Sequence, residues 1–315
     1  MRQLAYNDIS LKPQKCVVDS RNLCGTSIIF GGREFHMPVY PSNMKSVVDI
    51  ETCKYMANQG WFYTMHRFDI DVLDFVKSMN NANVYISISI GINTDSYETL
   101  QQIYQEPLFI DYITIDVANA WSEKTHQMVA FIKDKFPHAF LIVGNVATGE
   151  AVREIEEWGA NAIKVGIAGG SVCITKNKTS VHRPMVSTIQ DCVSARKKVF
   201  IVADGGVVEH GDIAKALALG ADMVMAGSLF AGYDQSSGNI IEIDDSGTRY
   251  KEYYGSASKH NKEEAKNIEG KKILIKYKGN MEHLLRELTE DLQSSISYVG
   301  AKDLSGLRGS EIYYI

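Results

Sequence analysis

Cys173 stands directly behind glycines 166, 169 and 170, within the stretch IKVGIAGGSVCITKNKTSVHRPM that runs from Ile163 to Met185. A thiol attacks as its thiolate, a form favoured by neighbouring cations and by free backbone N–H groups. Lys176 and Lys178 follow it in the chain, and Ser171 and Thr175 flank it. Free cysteine is usually buried and inert, but one placed just past a strand end among glycines and lysines reads as a nucleophile. The other four cysteines, at 16, 24, 53 and 192, have no such setting. Five is an odd number, and with no CxxC pair or metal-ligand spacing, neither a disulfide framework nor a zinc site is expected.

A nucleophile needs a scaffold, and the chain alternates two patterns. Short apolar runs rich in β-formers occur at 37–41, 61–66, 84–90, 112–117, 140–146, 162–167, 199–203 and 223–227. Segments of helical periodicity lie between them, at 48–59, 69–78, 97–104, 123–135, 150–158, 185–195 and 212–219. Strand–helix alternation predicts a parallel sheet, and eight units in one domain predict an α/β (β/α)₈ TIM barrel. The alternative is a doubly wound sheet, whose phosphate loop GxGxxG is missing after the first strand. Residues 1–36 read as a polar lead-in with a Gly31-Gly32 turn. Residues 231–280 are polar and turn-rich, and an insertion of that length after the eighth strand of a single domain reads as a mobile flap or, equally on composition, as a disordered surface excursion. MEHLLRELTEDL, with Leu284, Leu285, Leu288 and Leu292 on one face, supplies the last barrel helix. The tail from Ser294 to Ile315 is expected to pack on the core or on a neighbouring subunit.

Functional side chains of such a barrel come from the carboxyl ends of its strands. Those ends carry Ser42-Asn43-Met44-Lys45, His66-Arg67, Asp116 and Asn119, Asn145, Cys173, Asp204-Gly205-Gly206 and Gly227-Ser228. The glycine sites after strands seven and eight suit a phosphate held on backbone N–H groups, although each alone is equally a tight turn. Asp204, an acceptor only when ionised, suits a ribose hydroxyl. His66 reads more simply as a hydrogen-bonded core group. Together these residues point to covalent chemistry on a nucleotide or sugar phosphate, without selecting the reaction.

The bulk properties of the 315-residue chain fit that picture: 45% hydrophobic, 23% charged and a formal charge of −5. An acidic balance argues against nucleic acid as a partner. No apolar run is long enough to span a membrane, and the start MRQLAYNDISLKPQK has no signal-peptide core. A reducing cytoplasm is expected.

KVGIAGGSVCITKNKT, ADGG, MVMAGSLFAG, YYGSAS, NIEGKK and SSISYVG resemble, nearly end to end, the family of IMP dehydrogenases and GMP reductases, its reductase branch in particular. The resemblance implies a (β/α)₈ barrel in which Cys173 attacks carbon 2 of a guanine ring, ammonia leaves, and NADPH reduces the resulting thioimidate. Thr175 and Glu269 match the pair that handles the proton. Ser171, Asp204, Gly205, Gly206, Gly227 and Ser228 match ribose-phosphate contacts. Gly255, Ser256, Ala257, Lys266 and Gly270 match the segments holding the base, and Arg67 is grouped with the substrate. Ser20, Arg21, Asp116, Val117 and Ala118 match cofactor contacts. Ser294 to Ser297 would reach the cofactor of an adjacent subunit, which implies a homotetramer. The carbonyls of Ala168, Gly170, Cys173 and Lys176 correspond to a loop that takes a monovalent cation such as K⁺.

The reductase is favoured over the dehydrogenase because no regulatory module interrupts strands two and three. The dehydrogenases' water-activating Arg-Tyr pair is also absent in context, Arg249-Tyr250 being a dipeptide match only. The chain departs from the family pattern at Ala168-Gly169, Ser180, His182, Lys259 and Ala120-Trp121, where loop mobility, substrate fit or the nicotinamide pocket is expected to change. Two other readings remain open: a relative acting on another purine nucleotide or running as a dehydrogenase, and a silent nucleotide-binding homologue.

Overall fold

The computed structural model describes residues 2–170, 172–242, 247–255 and 270–315. The chain opens with β1 (Ile9–Leu11), a hairpin of β2 (Ile28–Phe30) and β3 (Arg33–Phe35), and then β4 (Val39–Pro41) and α1 (Ile50–Asn58). Next come α2 (Val72–Asn81), β5 (Ser87–Ile90), α3 (Thr94–Gln105), β6 (Tyr112–Asp116), α4 (Glu123–Lys135), β7 (Phe140–Val146) and α5 (Gly149–Trp158). β8 (Ala162–Val165), α6 (Thr175–Thr179), α7 (Met185–Ala195), β9 (Phe200–Asp204), α8 (His210–Ala218) and β10 (Met223–Ala226) complete the alternation. Three short strands, β11 (Ile241–Glu242), β12 (Arg249–Tyr254) and β13 (Lys272–Lys276), precede α9 (Glu282–Tyr298), α10 (Leu304–Leu307) and β14 (Ile312–Tyr314).

Seven strands form one parallel sheet in the order β4-β10-β9-β8-β7-β6-β5, curled with helices outside it as in a TIM barrel. The strands are apolar and buried on both faces, as a sheet covered by helices requires. The helices begin where side chains satisfy their free amides: Asp49, Asp71, Asn93, Ser122 and Thr148 each accept from the N–H three residues on.

The expected second strand, 61–66, is not a strand. It makes one bridge, Met65 to Ile88 of β5, with Ser89 N–H donating to Met65 O at 3.1 Å. On its other side the Phe62 ring packs edge-on against Tyr40 of β4 at 4.8 Å. The segment therefore sits between the two edge strands without a ladder. The reason lies in two tyrosines. Tyr85 Oη donates to Trp61 O at 2.8 Å and accepts from Tyr63 N–H at 3.1 Å, while Tyr63 Oη donates to Tyr85 O. Those hydroxyls take backbone groups that strand pairing would otherwise use.

The lead-in also does more than its polarity suggested. Gly31 and Gly32 turn the hairpin with φ of 61° and 81°, the left-handed pair that a two-residue hairpin loop needs. The turn drives Phe30 into the amino ends of the strands, where its ring lies 4.7 Å from Phe140, 5.2 Å from Phe62 and 5.3 Å from Phe200. Tyr112 Oη donates to Phe30 O at 2.7 Å. This aromatic plug closes the floor of the barrel. The C-terminal strand β14 pairs antiparallel with β1, so the tail packs on its own chain.

The described part of 231–280 is not turn alone, because β11, β12 and β13 form a three-stranded antiparallel sheet. RYKEYY and KILIK alternate as strands do. Lys251, 4% exposed, anchors the sheet through a 2.7 Å bond from Nζ to Ser236 O. Among the described residues, no helix is long and apolar enough to cross a membrane.

Candidate active site

After β8 the backbone turns through its glycines and brings Cys173 back over the barrel mouth. Cys173 N–H donates to Gly170 O at 3.1 Å, and the thiol donates to Thr175 Oγ1 at 3.1 Å. Thr175 opens α6, a short helix within a stretch that reads as loop. The returning flap strand clasps this loop: Lys271 N–H donates to Val172 O at 2.9 Å, and Gly270 bridges Cys173. Lys176 and Lys178 are exposed, and among the described residues the sulfur's hydrogen-bond partner is Thr175.

The sulfur faces a cavity of about 510 Å³ at the carboxyl ends of the strands. Ser42, Asn43, Arg67, Asp116, Val117, Ala118, Asn145, Asp204, Gly205, Gly206, Gly227, Ser228 and Gly255 all line it together with Cys173 and Thr175. Residues far apart in the chain thus share one chamber of a size suited to a nucleotide-scale ligand. His66 is not among the lining residues. It is 5% exposed, its Nδ1 accepts from Phe68 N–H, and burial followed by Lys45 depresses its pKa to about 4, so it is a neutral core group.

The residue that sequence reasoning missed is Lys164. It lies inside β8 in an otherwise apolar run and is 1% exposed. Its Nζ donates to Asp116 Oδ1 at 3.0 Å and to Asp204 Oδ2 at 3.2 Å. Asn145 Nδ2 donates to the same Asp204 oxygen at 2.8 Å and to Gly166 O at 2.8 Å. Burial acts to raise the pKa of Asp116, but Lys164 and then Arg67 more than offset it, and the carboxyl is held below its ordinary range. Burial acts to lower that of Lys164, and the two carboxylates outweigh it, so the ammonium stays charged. A lone lysine in a buried strand, with aspartates at the ends of two others, was the available signal.

The glycine sites divide their work. Gly205 and Gly206 adopt φ of 105° and 76°, and Gly206 N–H donates to Gly169 O at 2.8 Å, so that N–H is engaged within the fold. Among the described residues no backbone carbonyl takes the N–H of Gly205, Gly227 or Ser228. Those three keep the donors a phosphate requires. Gly227 is small for a different reason: a Cβ there would collide with the Tyr253 hydroxyl of β12. Ser228 begins a single turn closed by Phe230 N–H to Gly227 O.

Some expected residues lie elsewhere. Arg21 donates to Ser294 Oγ at 3.3 Å, and Cys16 meets Ser297 Oγ at 3.2 Å. With Ser20 these residues sit near the start of the chain and on α9, and none lines the cavity. Ser171, Ser256, Ala257, Lys259, Lys266 and Glu269 lie outside the described residues. Of the four carbonyls matched to a cation, Gly170 O accepts from Cys173 N–H and Lys176 O from Ser180 N–H. Ala168 and Ser180 both hold left-handed backbone, at φ of 62° and 61°. Trp121 and His182 line a second cavity of about 400 Å³ that meets the first at Ile167. Arg249 stacks on Tyr277 at 4.3 Å in the flap sheet and does not line the main cavity.

A thiol over a glycine cradle, with carboxylates from separate strands at the mouth of an α/β barrel, marks the chain as a barrel enzyme. Comparison with known proteins identifies it further. The family model described as IMP dehydrogenase / GMP reductase domain matches residues 3–314. A GMP reductase of Chromobacterium violaceum is 58% identical over 313 residues, covering 99% of this chain and 98% of that protein. GMP reductases of Acidovorax ebreus and Lactobacillus gasseri are 48% and 46% identical, covering 96% and 98% of this chain and 93% of each relative. The chain belongs to the IMP dehydrogenase/GMP reductase family.

Proposed function

We propose that the protein reduces GMP to IMP and ammonia with NADPH, through a thioimidate on Cys173. The observation that carries this reading is the placement of Cys173 in one cavity with the open N–H groups of Gly205, Gly227 and Ser228 and with Asp204. The phosphate would rest on those N–H groups, and Asp204 would accept from the ribose hydroxyls. Arg67, Gly255, Gly270 and, outside the described residues, Ser171, Ser256, Ala257 and Lys266 would hold the rest of the nucleotide.

Cys173 Sγ then bonds to carbon 2, the C–N bond to the exocyclic amine breaks, and the thiol proton ends on the amine, which leaves as ammonia. Thr175 Oγ1, already the acceptor of the thiol proton, begins that transfer, and Glu269 completes it when the flap is in place. The reduced dinucleotide, when bound, supplies the hydride that carbon 2 takes up as the C–S bond breaks, releasing the thiolate. Asp116 fits the nicotinamide end, since it is an ionised acceptor on the cavity wall, with the buried Asn43 amide beside it as a further donor. Val117 and Ala118 form the adjoining wall. Ser20, Arg21, Ser294 and Ser297, grouped away from their own cavity, fit a role toward a neighbouring subunit's cofactor in a homotetramer. The second lone pairs of the loop carbonyls fit a monovalent cation, and no step depends on it. A cytoplasmic location suits this chemistry and its free thiols.

Arg249 stacked in the flap sheet, away from the cavity, favours reduction over hydrolysis, which needs a water-activating base at carbon 2. The test follows cofactor absorbance with GMP and identifies the product. Wild-type protein is expected to form IMP, and Cys173→Ala to lose at least 10³-fold in kcat, of the order seen when a catalytic nucleophile is removed. Undiminished turnover by Cys173→Ala rules out the covalent step.

A further inference from the structure

Lys164 plays no part in the bond-making above, yet a buried cation lying between two ligand-facing carboxylates is not idle. Its ammonium has three donors and no acceptor. Two reach the carboxylates, one oxygen each: Oδ1 of Asp116 and Oδ2 of Asp204. Among the described residues, the second oxygen of Asp204 accepts no hydrogen bond, Asn43 stands beside Asp116 as a further donor, and both carboxylates belong to the wall of the cavity. Asn145 steadies the Asp204 side by bonding the same oxygen that Lys164 holds, and Arg67 Nε steadies the Asp116 side through Asp116 O at 3.2 Å. One positive charge is therefore shared between the carboxylate assigned to the nucleotide's ribose and the carboxylate assigned to the dinucleotide.

We propose that Lys164 couples the two ligands, so that filling the ribose site on Asp204 tightens binding of the reduced dinucleotide at Asp116. The inference rests on the functional reading above and adds a positioning residue to it. The physical argument concerns a shared charge. A ribose hydroxyl donating to Asp204 Oδ1 draws electron density away from Oδ2 and weakens its hold on the ammonium. Lys164 then turns its attraction toward Asp116 and fixes that carboxylate in one orientation, in a low-dielectric setting where such pairs are strong. Asp116 is thereby ordered before the dinucleotide arrives, and the ordering cost is removed from its binding. Linkage makes the effect mutual: the dinucleotide tightens the nucleotide by the same factor.

Direct stacking between the two ligands would also couple them, so the experiment removes the hydroxyls and keeps the ring. In Cys173→Ala protein, which cannot turn over, the Kd of NADPH is measured by calorimetry alone, with GMP, and with 2′,3′-dideoxy-GMP. GMP is expected to tighten NADPH by at least about five-fold, the lower end of typical coupling, and the dideoxy compound to do so markedly less. Adding Lys164→Met should bring the GMP value down to the dideoxy value. Lys164→Arg, which keeps a charge and two donors, should retain part of the difference. Because Lys164→Met removes the cation that two part-buried carboxylates share, its folding is checked by circular dichroism. Should it fail to fold, Asp116→Asn in the Cys173→Ala background is the substitute, since the readout is a ratio of affinities and survives a weaker absolute Kd. Equal tightening by GMP and its dideoxy analogue, or an unchanged ratio in the folded Lys164 or Asp116 variant, overturns the coupling while leaving the functional reading intact. Failure of GMP and NADPH to bind at all would overturn the functional reading instead.

Discussion

Gly227→Ala tests whether the flap sheet and the phosphate cradle are one mechanical unit. A Cβ at 227 would overlap the Tyr253 hydroxyl, with Tyr253 Cζ next at 3.3 Å and Ser42 Oγ at 3.5 Å. Tyr253 is 3% exposed on β12 and cannot swing into solvent. Overpacking of this kind costs about 1–3 kcal/mol. If the strain is relieved by lifting β12, the N–H groups of Gly227 and Ser228 shift with the flap, and about 2 kcal/mol corresponds to roughly a 30-fold weaker grip on the nucleotide. Tyr253→Phe removes the colliding atom and leaves Cζ at 3.3 Å, a distance that small adjustments absorb. Alone, that change loses a hydroxyl interaction, about 1 kcal/mol. The double variant Gly227→Ala/Tyr253→Phe should therefore be no worse than Tyr253→Phe by more than about 0.5 kcal/mol. Urea unfolding and GMP affinity by calorimetry, run on all four proteins, give the cycle. Simple additivity of the two losses refutes the collision as the reason for glycine at 227.

Three further expectations concern stability. His66, with its pKa depressed from 6.5 to about 4 by burial, is protonated first in the unfolded chain, so stability falls as pH drops from 6.5 towards 4. The full loss is about 3 kcal/mol at roughly 1.4 kcal/mol per pH unit; His66→Asn, which can still accept from Phe68 N–H, should flatten that part of the urea-midpoint profile. Ser180 holds φ of 61° at the end of α6, and Ser180→Gly should be more stable than Ser180→Ala by about 1 kcal/mol; a reversed order in urea melts contradicts the strained-cap reading. Phe30→Ala empties the plug between Phe62, Phe140 and Phe200 and should cost about 3–5 kcal/mol, seen as a lower urea midpoint; a loss below 1 kcal/mol would mean that the floor is not packed as described.

The pattern of these positions explains what could be read from the chain alone. Helices α4 and α7 were legible residue for residue because an amphipathic stripe opens behind a capping residue or proline, Ser122 for α4 and Pro184 for α7. Strand ends were legible as a set, and the cavity gathers residues from most of them, with Lys45, His66 and Asn119 left outside its lining. The segment 61–66 misled because apolar content says that a stretch is buried, not that its amides pair with a neighbour; here tyrosine hydroxyls from Tyr63 and Tyr85 compete for them. The flap strands were hidden by their polarity, since β13 alternates exposed and half-buried residues with no fully buried position in it.

Lys164 shows the deeper limit. A charge in a strand can be read from sequence as an edge, an error of register or a buried group, and only the partners distinguish these. Its partners sit 48 and 40 residues away on different strands, so neither local periodicity nor motif spacing connects them. Burying an ammonium without such partners would be prohibitive, and a buried charge that loses one partner typically costs 3–5 kcal/mol. A run such as AIKV can therefore occupy a barrel wall only if other strands present carboxylates to it. The lysine and the two aspartates are consequently one feature of the fold, and the two halves of the site inherit a connection through it.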